Sequence, residues 1–229
     1  MIALTPILFA IVSALVMFQV SAWRTAKMLD AKSVPLRDPA LVPVFDRLAR
    51  VLDIKHLPVN IYEIDPVNGL AAPDGRIFIT RGFYEKYRSG EITAEELTGV
   101  VAHELGHVSL GHSRRRMVDF TGQNAMRVAL ATILGRFIPF VGILIANALS
   151  SLLMARLSRQ DEYEADAWAA ALMTKSGLGV GPQISLLQKM ERMTGMAGRP
   201  PVWTASHPQT ADRVAALRTL EQGWQVAGR

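Results

Sequence analysis

The sequence predicts an α+β protein: a mainly helical domain with a small β-sheet, preceded by one apolar N-terminal helix. Three observations carry this reading. Ile2–Trp23 contains no charged side chain. The chain then reads as one amphipathic helix, two short strand-like runs and a series of helices, the order expected of an α+β domain with one sheet. Finally, Thr93–Arg116 has helical periodicity and contains His103-Glu104-Leu105-Gly106-His107, an H-E-x-x-H pattern.

Composition narrows the possible chemistry. The chain has 229 residues, enough for one sizeable core. It has no cysteine, which excludes disulfides, thiolate-bound metal and thiol nucleophiles. Mean hydropathy is +0.20, high for a purely soluble protein. The net charge of +5 comes without aromatic-interleaved basic motifs, so it points to a membrane surface rather than to nucleic acid.

Ile2–Trp23 is long enough for one transmembrane helix. Arg24, Lys27, Lys32 and Arg37 follow it, and no Lys or Arg precedes it. The positive-inside rule then places the remainder in the cytoplasm, held by a single-pass anchor over residues 1–23 with a linker over 24–37. The alternative is export through a cleaved signal peptide, since Val20-Ser21-Ala22 resembles a cleavage site; the positive n-region is missing.

Asp38–Ile54 places Val42, Phe45, Leu48, Ala49 and Leu52 on one helical face. Val59–Ile64 and Arg76–Thr80 read as strands, separated by the turn-rich run Pro66–Gly75. An exposed edge of such a sheet can bind an extended peptide by strand addition. A short helix over roughly Gly82–Tyr87 leads into the motif helix. There Thr93 and Glu96 fit a capping box, and Leu97, Val100, Val101, Leu105 and Val108 recur at helical spacing. Helices follow over Asp161–Lys175, Gln183–Met193 and Thr210–Gln222, with a break at Gly177–Gly181.

On a helix, His103 and His107 lie one turn apart on one face and can direct both imidazoles at one Zn²⁺. Glu104 points beside the metal, where it can take a proton from water. A core helix with two satisfied histidines is the plainer alternative, but it buries Glu104 without a stated partner. A catalytic zinc site needs a third protein ligand. His112 is one residue out of register for a third histidine and, on a continuing helix, would face away from the metal, so it reads either as a residue standing behind the ligands or as a surface residue. Carboxylates further along remain. Glu162 and Asp166 share a helical face: Glu162 can ligate, and Asp166 can reach a ligand histidine's free N–H. The alternative for this run is a solvated acidic face, which suits Asp161 and Glu164.

His103-Glu104-x-x-His107 followed by Ser158-Arg159-x-x-Glu162-x-x-Ala165-Asp166 resembles the gluzincin family of HtpX-like and CAAX-prenyl-protease-type zinc metallopeptidases. The resemblance covers roughly residues 40–220 and assigns a metallopeptidase domain to 38–224. It implies that Glu162 is the third zinc ligand and that Asp166 supports the site. Ser206-His207-Pro208 and Arg213 match the family's His-Pro element and following arginine, which implies roles for His207 and Arg213 near the oxyanion. Asn68 matches the asparagine before the family's edge strand, although Gly-Leu follows here instead of Ala-Phe. The chain is much shorter than the multi-spanning prenyl proteases, so prenylated substrates do not carry over.

Val128–Met154 is also strongly apolar. A single crossing there would separate His107 from Glu162 across the bilayer, and two crossings need about 40 residues. The segment is therefore expected to lie in the interface, re-enter, or pack as a hairpin; Arg114–Arg116 could meet anionic headgroups or form a solvated cationic face.

The function expected is hydrolysis of peptide bonds by a membrane-anchored zinc metalloendopeptidase, with one Zn²⁺ per chain, zinc-activated water and Glu104 as general base. Expected partners are a peptide or protein substrate and the membrane, with no nucleic acid. Two other classes stay open: a membrane-associated binding or chaperone-like module with a structural metal, and a metallo-hydrolase of small substrates. An intact Glu104 argues against the first, and an edge strand beside the cleft would argue against the second.

Overall fold

The structure is a computed structural model that describes residues 4–72, 74–112, 115, 141–196 and 210–227. It is mostly helical with one four-stranded sheet. Helix α1 spans Leu4–Ala31, followed by β1 (Ser33–Pro35), α2 (Val42–Val51), β2 (Val59–Tyr62), β3 (Gly69–Ala71), β4 (Ile77–Thr80), α3 (Arg81–Arg88) and α4 (Ala94–Ser109). Then come α5 (Val141–Lys175), α6 (Gly181–Met196) and α7 (Thr210–Ala227).

The sheet order is β1-β2-β4-β3. Strands β2 and β4 are parallel, with Val59 opposite Ile77, while β1 and β3 run antiparallel to their neighbours. Two strands were not expected from the sequence. β1 lies in the linker region, and β3 lies inside the run read as turns. Each is three residues long and exists only through its pairing.

Strand β4 is buried on both faces. Ile77 and Ile79 point into the main core with Leu48, Phe83, Leu97, Val101 and Met173, whereas Phe78 packs on Leu29 of α1 and Tyr62. The C-terminal end of α1 thus covers the sheet's second face. A third cluster joins α5, α6 and α7 through Ala170, Leu187, Val214 and Leu217.

Helix α4 is the central element, sandwiched between the sheet, α2, α5 and α6. Its start is set by local chemistry. Thr93 accepts from the Glu96 amide (3.2 Å), and the Glu96 carboxylate accepts from the Thr93 amide (2.8 Å), completing the capping box. From Glu96 to His107 nearly every residue is buried, on all faces.

Helix α5 is 35 residues long, so the apolar run and the acidic run form one continuous rod. It ends in a Schellman motif at Gly177 (φ 77°), with Leu178 N–H bonded to Met173 O and Gly177 N–H to Thr174 O. Residues 128–140 of the expected apolar segment lie outside the described residues, and Leu144, Ile145 and Leu152 of its remainder are exposed. Among the described residues, no helix is long and apolar enough to cross a membrane.

Candidate metal centre

Three side chains from α4 and α5 converge below the sheet. His103 Nε2 and His107 Nε2 lie 3.1 Å apart. Glu162 places Oε2 3.4 Å from His103 Nε2 and Oε1 3.4 Å from His107 Nε2. Two imidazoles and a carboxylate are the donor types zinc accepts, and ligands at zinc's bond lengths in a tetrahedron stand about 3.3 Å apart. The trio therefore fits one such ion, and all three residues are buried.

Close packing makes this convergence possible. A Cβ on Gly106 would stand 2.9 Å from the Ala165 carbonyl oxygen and 3.1 Å from its Cα. Only a glycine inside the motif lets α4 and α5 approach so closely, with His103 and His107 on one side and Glu162 on the other.

Behind the ligands lies a charged network. Asp166 Oδ1 accepts from His103 Nδ1 at 2.9 Å, leaving Nε2 directed at the trio. Arg213 grips Asp166 through Nε (2.6 Å) and Nη2 (2.8 Å), and its Nη1 lies 3.3 Å from Glu162 Oε2. Gln183 Nε2 adds a bond to Asp166 Oδ1 at 3.1 Å. Arg213, expected near the oxyanion, is fully buried between the Asp166 and Glu162 carboxylates. His207 lies outside the described residues.

The electrostatics follow from burial and these partners. Burial alone would lower His103, but the hydrogen bonds with Asp166 and Glu162 outweigh it and hold its pKa at about 9 in the metal-free protein. Burial would raise Asp166, and the Arg213 charge and hydrogen bonds overturn this, keeping it well below the usual carboxylate range. Glu104 is pushed up to about 7 by burial, opposed by the charge of His103 and reinforced by that of Glu162. Burial also lowers His107 and His112.

Glu104 sits where the sheet edge meets α4. The Ala71 backbone hydrogen-bonds its carboxylate, and a Cβ on Gly69 would stand 2.5 Å from Val100 Cγ1 and 3.4 Å from Glu104 Oε1. Leu70 pairs with Phe78, Ala72 N–H bonds Arg76 O, and Thr80 N–H bonds Asn68 O. The alternation of an antiparallel ladder then turns the polar groups of Gly69 and Ala71 away from β4, toward the side of β3 that carries no further strand among the described residues. Asn68 immediately precedes this edge strand and is tied to Thr80, whose hydroxyl accepts from the Asn68 amide at 2.9 Å.

Two expectations are corrected. Asp161 and Glu164 do not form a solvated acidic face: Asp161 is buried, and Arg115 Nη2 donates to Asp161 and, at 2.7 Å, to Glu164. Arg115 is accordingly engaged with protein carboxylates; Arg114 and Arg116 lie outside the described residues. His112, expected either behind the ligands or at the surface, stands behind His107. The helix stops at Leu110, Gly111 takes φ 66°, and the chain doubles back to bring His112 Nδ1 within 2.7 Å of His107 Nδ1. Gln183 carried no sequence signal at all.

A helix bearing H-E-x-x-H, met by a glutamate from a second helix, makes a candidate metal centre. The model of Peptidase family M48 matches residues 35–221. The chain is 31% identical over 175 residues to Metalloprotease LoiP of Escherichia coli K12, covering 72% of this chain and 64% of LoiP. It is 32% identical over 221 residues to a Protease HtpX homolog of Salinibacter ruber, covering 87% of this chain and 75% of that protein. Ste24p of S. mikatae, a crystal structure, shares the fold with a TM-score of 0.57 at 20% identity, covering 91% of this chain and 58% of that one. The chain belongs to peptidase family M48. Its matches span less than two thirds of LoiP and of Ste24p.

Proposed function

We propose that this protein is a zinc metalloendopeptidase whose metal is held by His103, His107 and Glu162. The observation that carries the reading is the placement of buried Glu104 between that trio and the free edge of β3. A purely structural metal needs no base, and an edge strand beside the base suits an extended peptide better than a small enclosed substrate.

When bound, zinc supplies Lewis acidity toward water and the scissile carbonyl. Glu104 accepts the proton of the attacking water on its carboxylate and returns it to the leaving amine. In the metal-free protein burial pushes Glu104 up to about 7, toward the range a proton shuttle needs at neutral pH. Asp166 holds the His103 proton on Nδ1 so that Nε2 keeps its lone pair for the metal. The substrate adds as a strand along Gly69–Ala71, with Asn68 at the start of that edge. The resemblance of Ser206-His207-Pro208 to the family's His-Pro element assigns His207 to the oxyanion, and Arg213 acts from behind by holding Asp166 and Glu162.

Membrane attachment belongs to the same proposal. The uncharged run Ile2–Trp23 and the exposed Leu15, Val16, Met17, Val20 and Trp23 of α1 support an anchor in the cytoplasmic membrane, with the domain over 38–224 on the cytoplasmic side.

The test is zinc stoichiometry with chelator-sensitive casein cleavage. One zinc per chain and cleavage lost with chelator, restored by zinc, are expected; zinc-independent cleavage would refute the assignment. For the anchor, a chain starting near Leu36 should leave the membrane fraction, and mature protein lacking residues 1–22 in an exported fraction would refute it.

A further inference from the structure

We propose that His112 is a positioning residue for His107: a relay running His107, His112, Glu164, Arg115 fixes which ring nitrogen of His107 faces the metal. This rests on His103, His107 and Glu162 being the metal ligands.

The geometry leaves one consistent proton arrangement. His107 Nε2 faces His103 and Glu162, so as a ligand it carries its proton on Nδ1. That nitrogen is 2.7 Å from His112 Nδ1, which must then accept. A neutral His112 that accepts on Nδ1 carries its own proton on Nε2. This nitrogen faces Glu164 Oε2 at 3.3 Å and Asp161 Oδ1 at 3.9 Å, and carboxylates can only accept there. Arg115 bonds both carboxylates, and its hydrogen bond holds Glu164 below the usual carboxylate range. The opposite tautomer would aim the Nε2 lone pair of His112 at two carboxylates and set its Nδ1–H against the Nδ1–H of His107. His112 is 1% exposed, so solvent has little access to relieve that conflict.

The two ligands are thereby supported differently. His103 bonds a carboxylate directly, through Asp166 at 2.9 Å. His107 bonds a neutral ring, and the carboxylates come one step later. Gly111, with its left-handed backbone, is what brings the second ring into place. The same three side chains, His112, Asp161 and Glu164, offer donors to a second cation, but Arg115 already stands on both carboxylates.

The test compares zinc affinity, by chelator competition, in the full chain and in His112→Phe, His112→Asn and Glu162→Ala. The asparagine Oδ1 stands where Nδ1 stood and can accept from His107. Long-range ¹H–¹⁵N spectra of the zinc-loaded protein read the His107 tautomer directly. The expected result is a loss of about 10–100-fold in zinc affinity for His112→Phe, most of it restored in His112→Asn, with His107 as the Nδ1–H tautomer. Equal losses in both variants would make His112 mere packing and overturn the proposal, as would an unchanged His112→Phe. Two zinc ions on the parent, one lost in His112→Asn, would overturn it in favour of a second metal site. A parent that binds no zinc, or a Glu162→Ala that binds as well as the parent, would sink the metal assignment itself. An unchanged His112→Phe on a zinc-loaded parent sinks the relay alone.

Discussion

Arg213 and Asp166 meet in a two-point ion pair, with Nε–Oδ2 at 2.6 Å and Nη2–Oδ1 at 2.8 Å, although they are 47 positions apart. The third nitrogen of the same guanidinium lies 3.3 Å from Glu162. One side chain therefore orients both the carboxylate that holds His103 and Glu162, the proposed third ligand. Lysine cannot reproduce this fork. Arg213→Lys should weaken zinc binding, and Arg213→Ala should cost about 3–5 kcal/mol of stability by stranding a buried charge. Chelator competition and denaturant unfolding would check both. Unchanged zinc affinity with lost turnover in Arg213→Lys would return Arg213 to the oxyanion.

Glu104→Gln should keep zinc and the fold while losing about 10²–10⁴ in peptide hydrolysis, because the amide cannot accept a proton. The neutral isostere suits the site, since burial already drives Glu104 toward its protonated form. Metal content measured beside casein cleavage would check this; a variant as fast as the parent would remove Glu104 as the base.

The acidic residues of α5 should rank clearly. Glu162→Ala removes a ligand and should abolish tight zinc binding. Asp166→Ala should lose about 10–100-fold in affinity by freeing the His103 ring. Glu164→Ala should follow with a smaller loss, through Arg115 and His112. Zinc affinities of the three variants give the order, and a zinc-free Glu164→Ala beside a zinc-replete Glu162→Ala would contradict the site.

Zinc affinity should rise with pH. In the metal-free protein His103 holds a proton up to about pH 9, and the ion must displace it. Below that value affinity should fall about tenfold per pH unit, and above it the dependence should level off. Proton release measured calorimetrically in buffers of different ionisation enthalpy would check this. Zinc binding that releases no proton near neutrality would contradict the His103 assignment.

Gly106→Ala should force α4 and α5 apart, since the added Cβ meets backbone rather than a flexible side chain. The expected cost is about 1–3 kcal/mol of stability, together with weaker zinc binding. Urea unfolding and a zinc titration of the variant would show it. A variant with parental values would mean that the crossing yields easily.

What the sequence revealed was what local chemistry determines. Thr93 and Glu96 announce the start of α4 by bonding each other, and the four-residue spacings of His103–His107 and Glu162–Asp166 survive into the fold because a helix preserves them. What stayed hidden depends on distant partners. Strands β1 and β3 are too short for periodicity and exist only by pairing. Asp161 reads as a surface acid until Arg115 is brought against it. His112 stayed open between a place behind the ligands and the surface because its direction depends on a single left-handed glycine that ends the helix. Gln183 reaches Asp166 only because α6 folds back over α4.

The crossing of α4 and α5 at Gly106 joins distant stretches of chain: His103 and Asp166 are 63 positions apart. An ion shared between the two helices ties off that loop as a reversible crosslink. A permanent tie around a loop of such length withholds about 4 kcal/mol of chain entropy from the unfolded state. Metal scarcity would therefore act on the persistence of the folded chain itself, with the ion serving as a clasp on the polymer.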